Sequence, residues 1–162
     1  MSPDGILAAG TFNNTVSLFS STYDHISSFS LSNGTGTTEI KWSPNARDMY
    51  IVPRNSNSLE IWDVRNTGTK IATLVDRQAS TNQRLWTDLT QDGKYFVSGG
   101  TDGYVRSWST EESGTVEPTM KIKVHDGLTL MAMLMRRLCK FSDTSSILVH
   151  VSHEFGESSI RL

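Results

Sequence analysis

The 162-residue chain holds one cysteine, Cys139, and only four prolines. A lone thiol excludes an internal disulfide and a Cys-based zinc cluster, and it suits a reducing compartment. No apolar run approaches the ~18–20 residues that a membrane-spanning helix needs. The opening Met1-Ser2-Pro3-Asp4-Gly5 lacks the basic and apolar regions of a secretory signal. Charge is sparse as well: 15 basic against 17 acidic side chains, net −2, too few and too evenly signed for a disordered tail or a polybasic nucleic-acid arm. In their place stand 22 Ser and 18 Thr, about a quarter of the chain. These features predict a soluble intracellular β-type domain, of ordinary size or part of a larger one.

Turns built from Gly, Pro and Asn separate short runs of Val, Ile, Thr, Phe and Trp, the punctuation of hairpin-linked strands. Three segments repeat one another: 6–19, 49–62 and 95–108. Each follows a small turn, Ser2-Pro3-Asp4-Gly5, Ser43-Pro44-Asn45 or Thr90-Gln91-Asp92-Gly93. Each then runs through an apolar strand, a tight polar turn (Asn13-Asn14, Ser56-Asn57 or Asp102-Gly103) and a strand closed by an aromatic, Phe19, Trp62 or Trp108. Asn, Asp and Gly suit such turns because they tolerate positive φ. The closing aromatics lie 43 and 46 residues apart, close to the ~40–45-residue period of a four-stranded propeller blade. Two further strands fit each interval. One precedes the small turn, at 38–42 and 84–89, and one follows the aromatic strand, at 26–31, 71–75 and 120–124. The expected fold is all-β, a partial, open propeller of three to four blades. Repeats occupy residues 1–127, one partial and two full, and the chain begins within a repeat.

Residues 128–162 admit two readings. One is a degraded fourth repeat, with strands at 130–134, 147–152 and 159–162. The other is a tail unrelated to the repeat, with a short helix at 128–141. An array of fewer than four blades leaves a bare blade face at each end, so marginal stability or aggregation of the isolated chain is expected, as for a truncated form of a longer protein.

The motifs give catalysis no support. His153-Glu154-Phe155-Gly156-Glu157 starts like a zincin helix but lacks the second His, and His150 and His153 face opposite sides of a strand. No nucleophile elbow, P-loop or dinucleotide fingerprint is present. The expectation is a non-enzyme with no metal, cofactor or small-molecule substrate.

Trp62-Asp63, at the end of a third strand, is the dipeptide that names WD40 repeats, and the chain resembles that propeller family. In many such blades an Asp, His, Ser and Trp are joined by hydrogen bonds. Here Asp102, Ser98 and Trp108 match three members, and the His is missing. The resemblance therefore implies structural roles for Trp62, Asp63, Ser98, Asp102 and Trp108. Thr81-Asn82-Gln83-Arg84-Leu85-Trp86-Thr87-Asp88-Leu89, together with the stretch from Arg54 to Asn66, Leu7–Thr11 and Lys41-Trp42-Ser43-Pro44, more specifically resembles the telomerase Cajal body protein family and its fungal counterparts. That resemblance implies a nuclear RNA-handling scaffold with protein partners and, at one remove, RNA. In a propeller, the loop before an inner strand and the hairpin between strands two and three open on the same face. Asn82, Gln83 and Arg84 are thereby expected beside Arg54, Asn55, Thr101 and Tyr104, a set able to stack on unpaired bases and pair with phosphate. An equally weighted reading makes Arg84 a contact between blades. The rival function is a protein-binding adaptor of the G-protein-β type, and outside the resemblance a cytoplasmic location.

Overall fold

The computed structural model describes residues 1–67 and 69–124 and the backbone of two later strands, Leu148–His153 and Gly156–Arg161. Its repeat is set by a hydroxyl. Ser2, Ser43 and Thr90 are each buried at the mouth of the small turn. Each side-chain oxygen accepts the backbone N–H of the residue that re-enters the sheet, Ile6, Asp48 or Tyr95, at 2.9 Å. The same three residues donate their own N–H to the carbonyls of Ile6, Asp48 and Tyr95, so one Ser or Thr satisfies both sides of the turn.

Around these turns run β1 (Leu7–Gly10), β2 (Thr15–Phe19), β3 (His25–Ser30), β4 (Thr37–Trp42), β5 (Asp48–Pro53), β6 (Leu59–Asp63), β7 (Lys70–Leu74), β8 (Thr87–Leu89), β9 (Tyr95–Gly99), β10 (Tyr104–Ser109), β11 (Gly114–Val116) and β12 (Met120–Lys123). They form three successive meanders, β1-β2-β3, β4-β5-β6-β7 and β8-β9-β10-β12, antiparallel throughout. The fold is all-β, an open partial WD40-type propeller. The first meander corresponds to strands two to four of the others, because Leu7, Met49 and Phe96 lie opposite Phe19, Trp62 and Trp108 respectively.

Strand alternation assigns the two faces of each blade. In β6, Leu59 and Ile61 join Tyr50, Val52, Ala72 and Leu74 in one core, against Phe96 and Trp108 of the third blade. Trp62 turns the other way, to Val16, Leu18, Leu31, Met49 and Ile51, between the first and second blades. Each closing tryptophan thus seals the seam with the preceding blade. Trp108 is fully buried, and its indole N–H donates to the Val75 carbonyl at 2.9 Å. The residue two positions earlier shares that face: Ser17, Glu60 and Arg106. Glu60 and Arg106, of opposite charge, are both fully buried.

The structure adds one strand the sequence reading lacked. β11, in the connection between β10 and β12, crosses to the second blade and pairs parallel with β7, Gly114↔Ala72 to Val116↔Leu74. It also shortens one expected strand. β8 spans only Thr87–Leu89, with one further rung from Gly99 N–H to Trp86 O at 3.3 Å, and residues 84–85 leave the ladder where the Leu85 carbonyl turns to the buried guanidinium of Arg77. In the tail, β13 (Leu148–His153) and β14 (Gly156–Arg161) pair as an antiparallel hairpin. The expected strand at 130–134 and the alternative helix at 128–141 fall outside the described residues.

Candidate recognition face

The hairpins joining the second and third strands of each blade, and the loops leading from one blade to the next, interlock along one face. The first such loop, residues 31–36, lies between two hairpins. Leu31 N–H donates to Asn14 O at 2.7 Å, and the Asn14 amide donates to Gly34 O at 2.6 Å. On its other side Thr35 N–H reaches Arg54 O at 2.9 Å, and Arg54 N–H returns to Gly36 O at 2.7 Å. Gly34, at φ +87°, is required here: a Cβ would stand 2.5 Å from the Arg54 carbonyl oxygen. The second loop, residues 75–86, repeats the arrangement. Arg77 N–H donates to Asn57 O and Ala79 N–H to the Asn57 side chain. Farther along, Thr101 donates through both its N–H and its hydroxyl to Gln78 O at 2.8 Å.

Under the second loop lies Arg77, 3 % exposed. Its Nε donates to Ser98 Oγ at 2.8 Å and Nη2 to Leu85 O at 3.5 Å. Burial pushes this guanidinium down to about 10, with the charge of Glu39 opposing the shift. The positive φ of Asp76 (60°) and Gln78 (54°), uncommon outside glycine, shapes the loop around it. The Gln78 amide donates to Asp76 at 2.7 Å and is the main cause holding that carboxyl below its usual range.

Charged and aromatic groups crown the face. Arg54 sits 5.3 Å from the ring centre of Phe12, which is 73 % exposed at the tip of the first hairpin. Away from the crown, along the first strands of the second and third blades, Lys41 lies opposite Tyr50, 5.9 Å from the ring of the partly exposed Trp86, and bridges Glu39 at 3.2 Å and Asp88 at 3.4 Å. The buried Thr87 hydroxyl donates to Glu39 at 2.6 Å. Among the described residues no group of three or more His, Cys, Asp or Glu is arranged to hold a metal.

No family model matches the chain. Telomerase Cajal body protein 1 of Homo sapiens is 28 % identical over 142 residues, 78 % of this chain and 25 % of its own length. The same protein of Bos taurus is 31 % identical over 111 residues, 67 % of this chain and 20 % of its own. The chain resembles the telomerase Cajal body protein 1 family. Guanine nucleotide-binding protein negative regulator 1 of Schizosaccharomyces pombe is 31 % identical over 108 residues, 65 % of this chain and 27 % of its own. The chain spans about a quarter of the length of these curated relatives.

Five of the seven residues singled out for binding lie along the blade-2 hairpin and second loop. Arg54 and Asn55 stand on the hairpin, and the Ser80 hydroxyl donates to Asn55 across the seam at 3.4 Å. Asn82, Gln83 and Arg84 are exposed on the loop. Arg84 also reaches back to Glu39 of the preceding blade at 3.9 Å, with 67 % of its side chain exposed, so it is both a surface cation and a long inter-blade contact. Thr101 is committed to Gln78. Tyr104 sits apart from that group: Arg106 and Lys121, at 5.5 and 4.9 Å, cover its ring toward the outer strand.

The hydrogen-bonded set expected of Asp102, Ser98 and Trp108 is not formed. Asp102 is exposed and forks onto the Arg106 guanidinium, with Nη1 to Oδ1 at 2.9 Å. That pairing is the main cause holding the Asp102 carboxyl below its usual range. Ser98 accepts from Arg77, and Trp108 bonds to Val75. Arg77 and Arg106 hold Ser98 and Asp102 in place of that set. Trp62 donates to Glu60 at 2.9 Å, whereas Asp63 turns outward and pairs with Arg65 at 2.7 Å. Sequence reading passed over Phe12, Lys41, Arg77 and Trp86. Of these, Lys41 and Trp86 stood in stretches already quoted for the family resemblance, though neither was singled out for binding.

Proposed function

We propose that the chain is part of a non-catalytic propeller scaffold that assists assembly or localisation of a nuclear ribonucleoprotein. The loop-and-hairpin face is its recognition surface. The observation that carries this reading is the pairing of an exposed ring with a cation on that face, Phe12 with Arg54, in line with the exposed amides of Asn82 and Gln83 and the cation Arg84 on the second loop. Rings stack on unpaired bases, and Arg and Lys neutralise phosphate. The net charge of −2 limits any RNA contact to a local patch, since phosphate neutralisation dominates such affinity. The likeness to telomerase Cajal body protein 1 supports the nuclear setting and the scaffold role.

A gel shift with single-stranded RNA tests the face. Binding should weaken steeply with salt, and Arg54→Ala with Arg84→Ala should reduce it at least several-fold. An unchanged shift in the double variant removes the face from consideration. A second reading, an adaptor for protein partners alone, is supported by the likeness to a fission-yeast protein named for a guanine nucleotide-binding protein. Pull-down with and without RNase separates the two: partners lost on RNase treatment favour the ribonucleoprotein scaffold, and partners that persist favour the adaptor.

A further inference from the structure

The three outer strands meet solvent in three different ways. β7 is covered by β11, whose parallel register is extended by Val75 N–H donating to Val116 O at 3.0 Å. β12 carries Lys121 and Lys123, the kind of charge that discourages strand addition. β3, His25-Ile26-Ser27-Ser28-Phe29-Ser30, has no Lys, Arg or Pro, and among the described residues no strand pairs with its outer edge.

β3 and β7 are otherwise built alike. Both carry a register shift against the neighbouring strand, at Leu18/Phe19 and at Ile61/Trp62, and the unpaired residue is isoleucine in each, Ile26 and Ile71. Ile71 packs against the core cluster that contains Val116, while Ile26 is 52 % exposed. Leu31 N–H points at Asn14 O, toward β2, so by alternation the N–H groups of Ser28 and Ser30 face the open edge. Ten residues separate β10 from β12, room enough for β11; only six separate β6 from β7. Among the described residues that shorter connection hydrogen-bonds to β3 through a hydroxyl pair, Thr67 with Ser27 at 3.0 Å.

We propose that the outer edge of β3 takes an extended segment of a partner protein as an added parallel strand. Small uncharged residues would meet Ser27 and Ser28, as Gly114 and Thr115 meet Ala72 and Thr73. An aliphatic residue would lie opposite Phe29, as Val116 lies opposite Leu74. The occupant's chemistry is read from β11, the chain's own example of strand addition at the matching register, and main-chain hydrogen bonds supply the affinity. The site is on the rim and is independent of what the loop face binds.

The probe is a synthetic peptide of residues 111–118, Glu-Glu-Ser-Gly-Thr-Val-Glu-Pro, added to the whole chain at about 1 mM, the weak end of specific binding. Hydrogen exchange should slow in residues 25–30 and remain unchanged in 70–75. Ser28→Pro removes an edge N–H that the sheet does not use and should abolish the protection. Ser28→Lys places at Ser28, opposite Ser17, the guard that Lys121 provides opposite Arg106, and should weaken the protection at least tenfold. Unfolding midpoints within a few degrees of the parent show that both variants fold. The proposal is overturned by no protection of 25–30, by protection confined to 70–75, or by equal protection in the Ser28 variants. It is equally overturned if sedimentation shows a dimer that Ser28→Lys dissolves, since a second copy would then be the occupant.

Discussion

Replacing Arg77 by Met should stabilise the protein. The guanidinium is 3 % exposed, and among the described residues it forms no ion pair. Its fall from the usual guanidinium range to about 10 is, at ~1.4 kcal/mol per pH unit, a cost on the order of 3 kcal/mol for holding charge in that place. Met has a similar reach and no charge. What it forfeits is small: the Ser98 hydroxyl keeps its own bond to Gly99 O at 2.9 Å, and the contact to Leu85 O is already long at 3.5 Å. Setting about 1–2 kcal/mol of lost hydrogen bonding against the charge penalty leaves a net gain of about 1–2 kcal/mol. For a chain of this size that raises the melting temperature by roughly 3–6 °C. The assay is urea unfolding of parent and variant from pH 7 to 11. Because the folded state lowers the pKa of Arg77, the parent should gain stability as pH climbs through about 10 toward the ordinary guanidinium range, whereas the variant lacks that gain. The advantage of Met should therefore shrink with rising pH. A variant at least 1 kcal/mol less stable than the parent at pH 7, or a gap that does not change with pH, would refute the reasoning. It would mean that Arg77 earns its place by ordering residues 75–86.

Glu60→Ala should cost about 2–4 kcal/mol in urea unfolding. It strands two donors, the Trp62 indole and Ser32 N–H, both 2.9 Å from the carboxylate, along with Lys70 at 4.0 Å. A loss under 1 kcal/mol would show that water reaches this seam. Acid should unfold the chain from about pH 4 downward, monitored by tryptophan fluorescence. Asp63, Asp76, Asp92 and Asp102 are held below the usual carboxylate range, chiefly by Arg65, Gln78, Thr90 and Arg106 respectively. Their contributions are complete above the unfolded value and vanish as pH falls through the lowered ones. Asp48, raised chiefly by burial, works in the opposite sense and gains as it protonates. Asp102→Asn should shallow the acid limb; an unchanged limb would dismiss the Arg106 pairing as its source.

The architecture was legible because it rests on local chemistry. Ser2, Ser43 and Thr90 announce the same turn three times, and the aromatics at 19, 62 and 108 fix the register of each blade. What escaped the sequence depends on neighbours distant in the chain. Gly114-Thr115-Val116, flanked by Glu111, Glu112 and Glu117, has the composition of a polar loop, and only the proximity of β7 makes it a strand. Glu60 was readable in principle, since alternation places it on the face of Trp62, away from Leu59 and Ile61. Arg77 was not, because nothing in Val75-Asp76-Arg77-Gln78 signals that the chain closes over its third residue. On the recognition face, the amides and Arg84 could be suspected from their departure from the ordinary repeat. Phe12, by contrast, becomes conspicuous only when Arg54 is found beside it.

The same rung of consecutive blades carries a carboxylate in one, Glu60, and a guanidinium in the next, Arg106, each with partners contributed by the blade before it. The blades are therefore not interchangeable bricks. Were these two to trade places, Arg106 would face Ser32 N–H in place of Asp76, donor against donor, and Glu60 would meet Asp76, acid against acid. The order of these two slices is written into the seams themselves, as a penalty on their exchange.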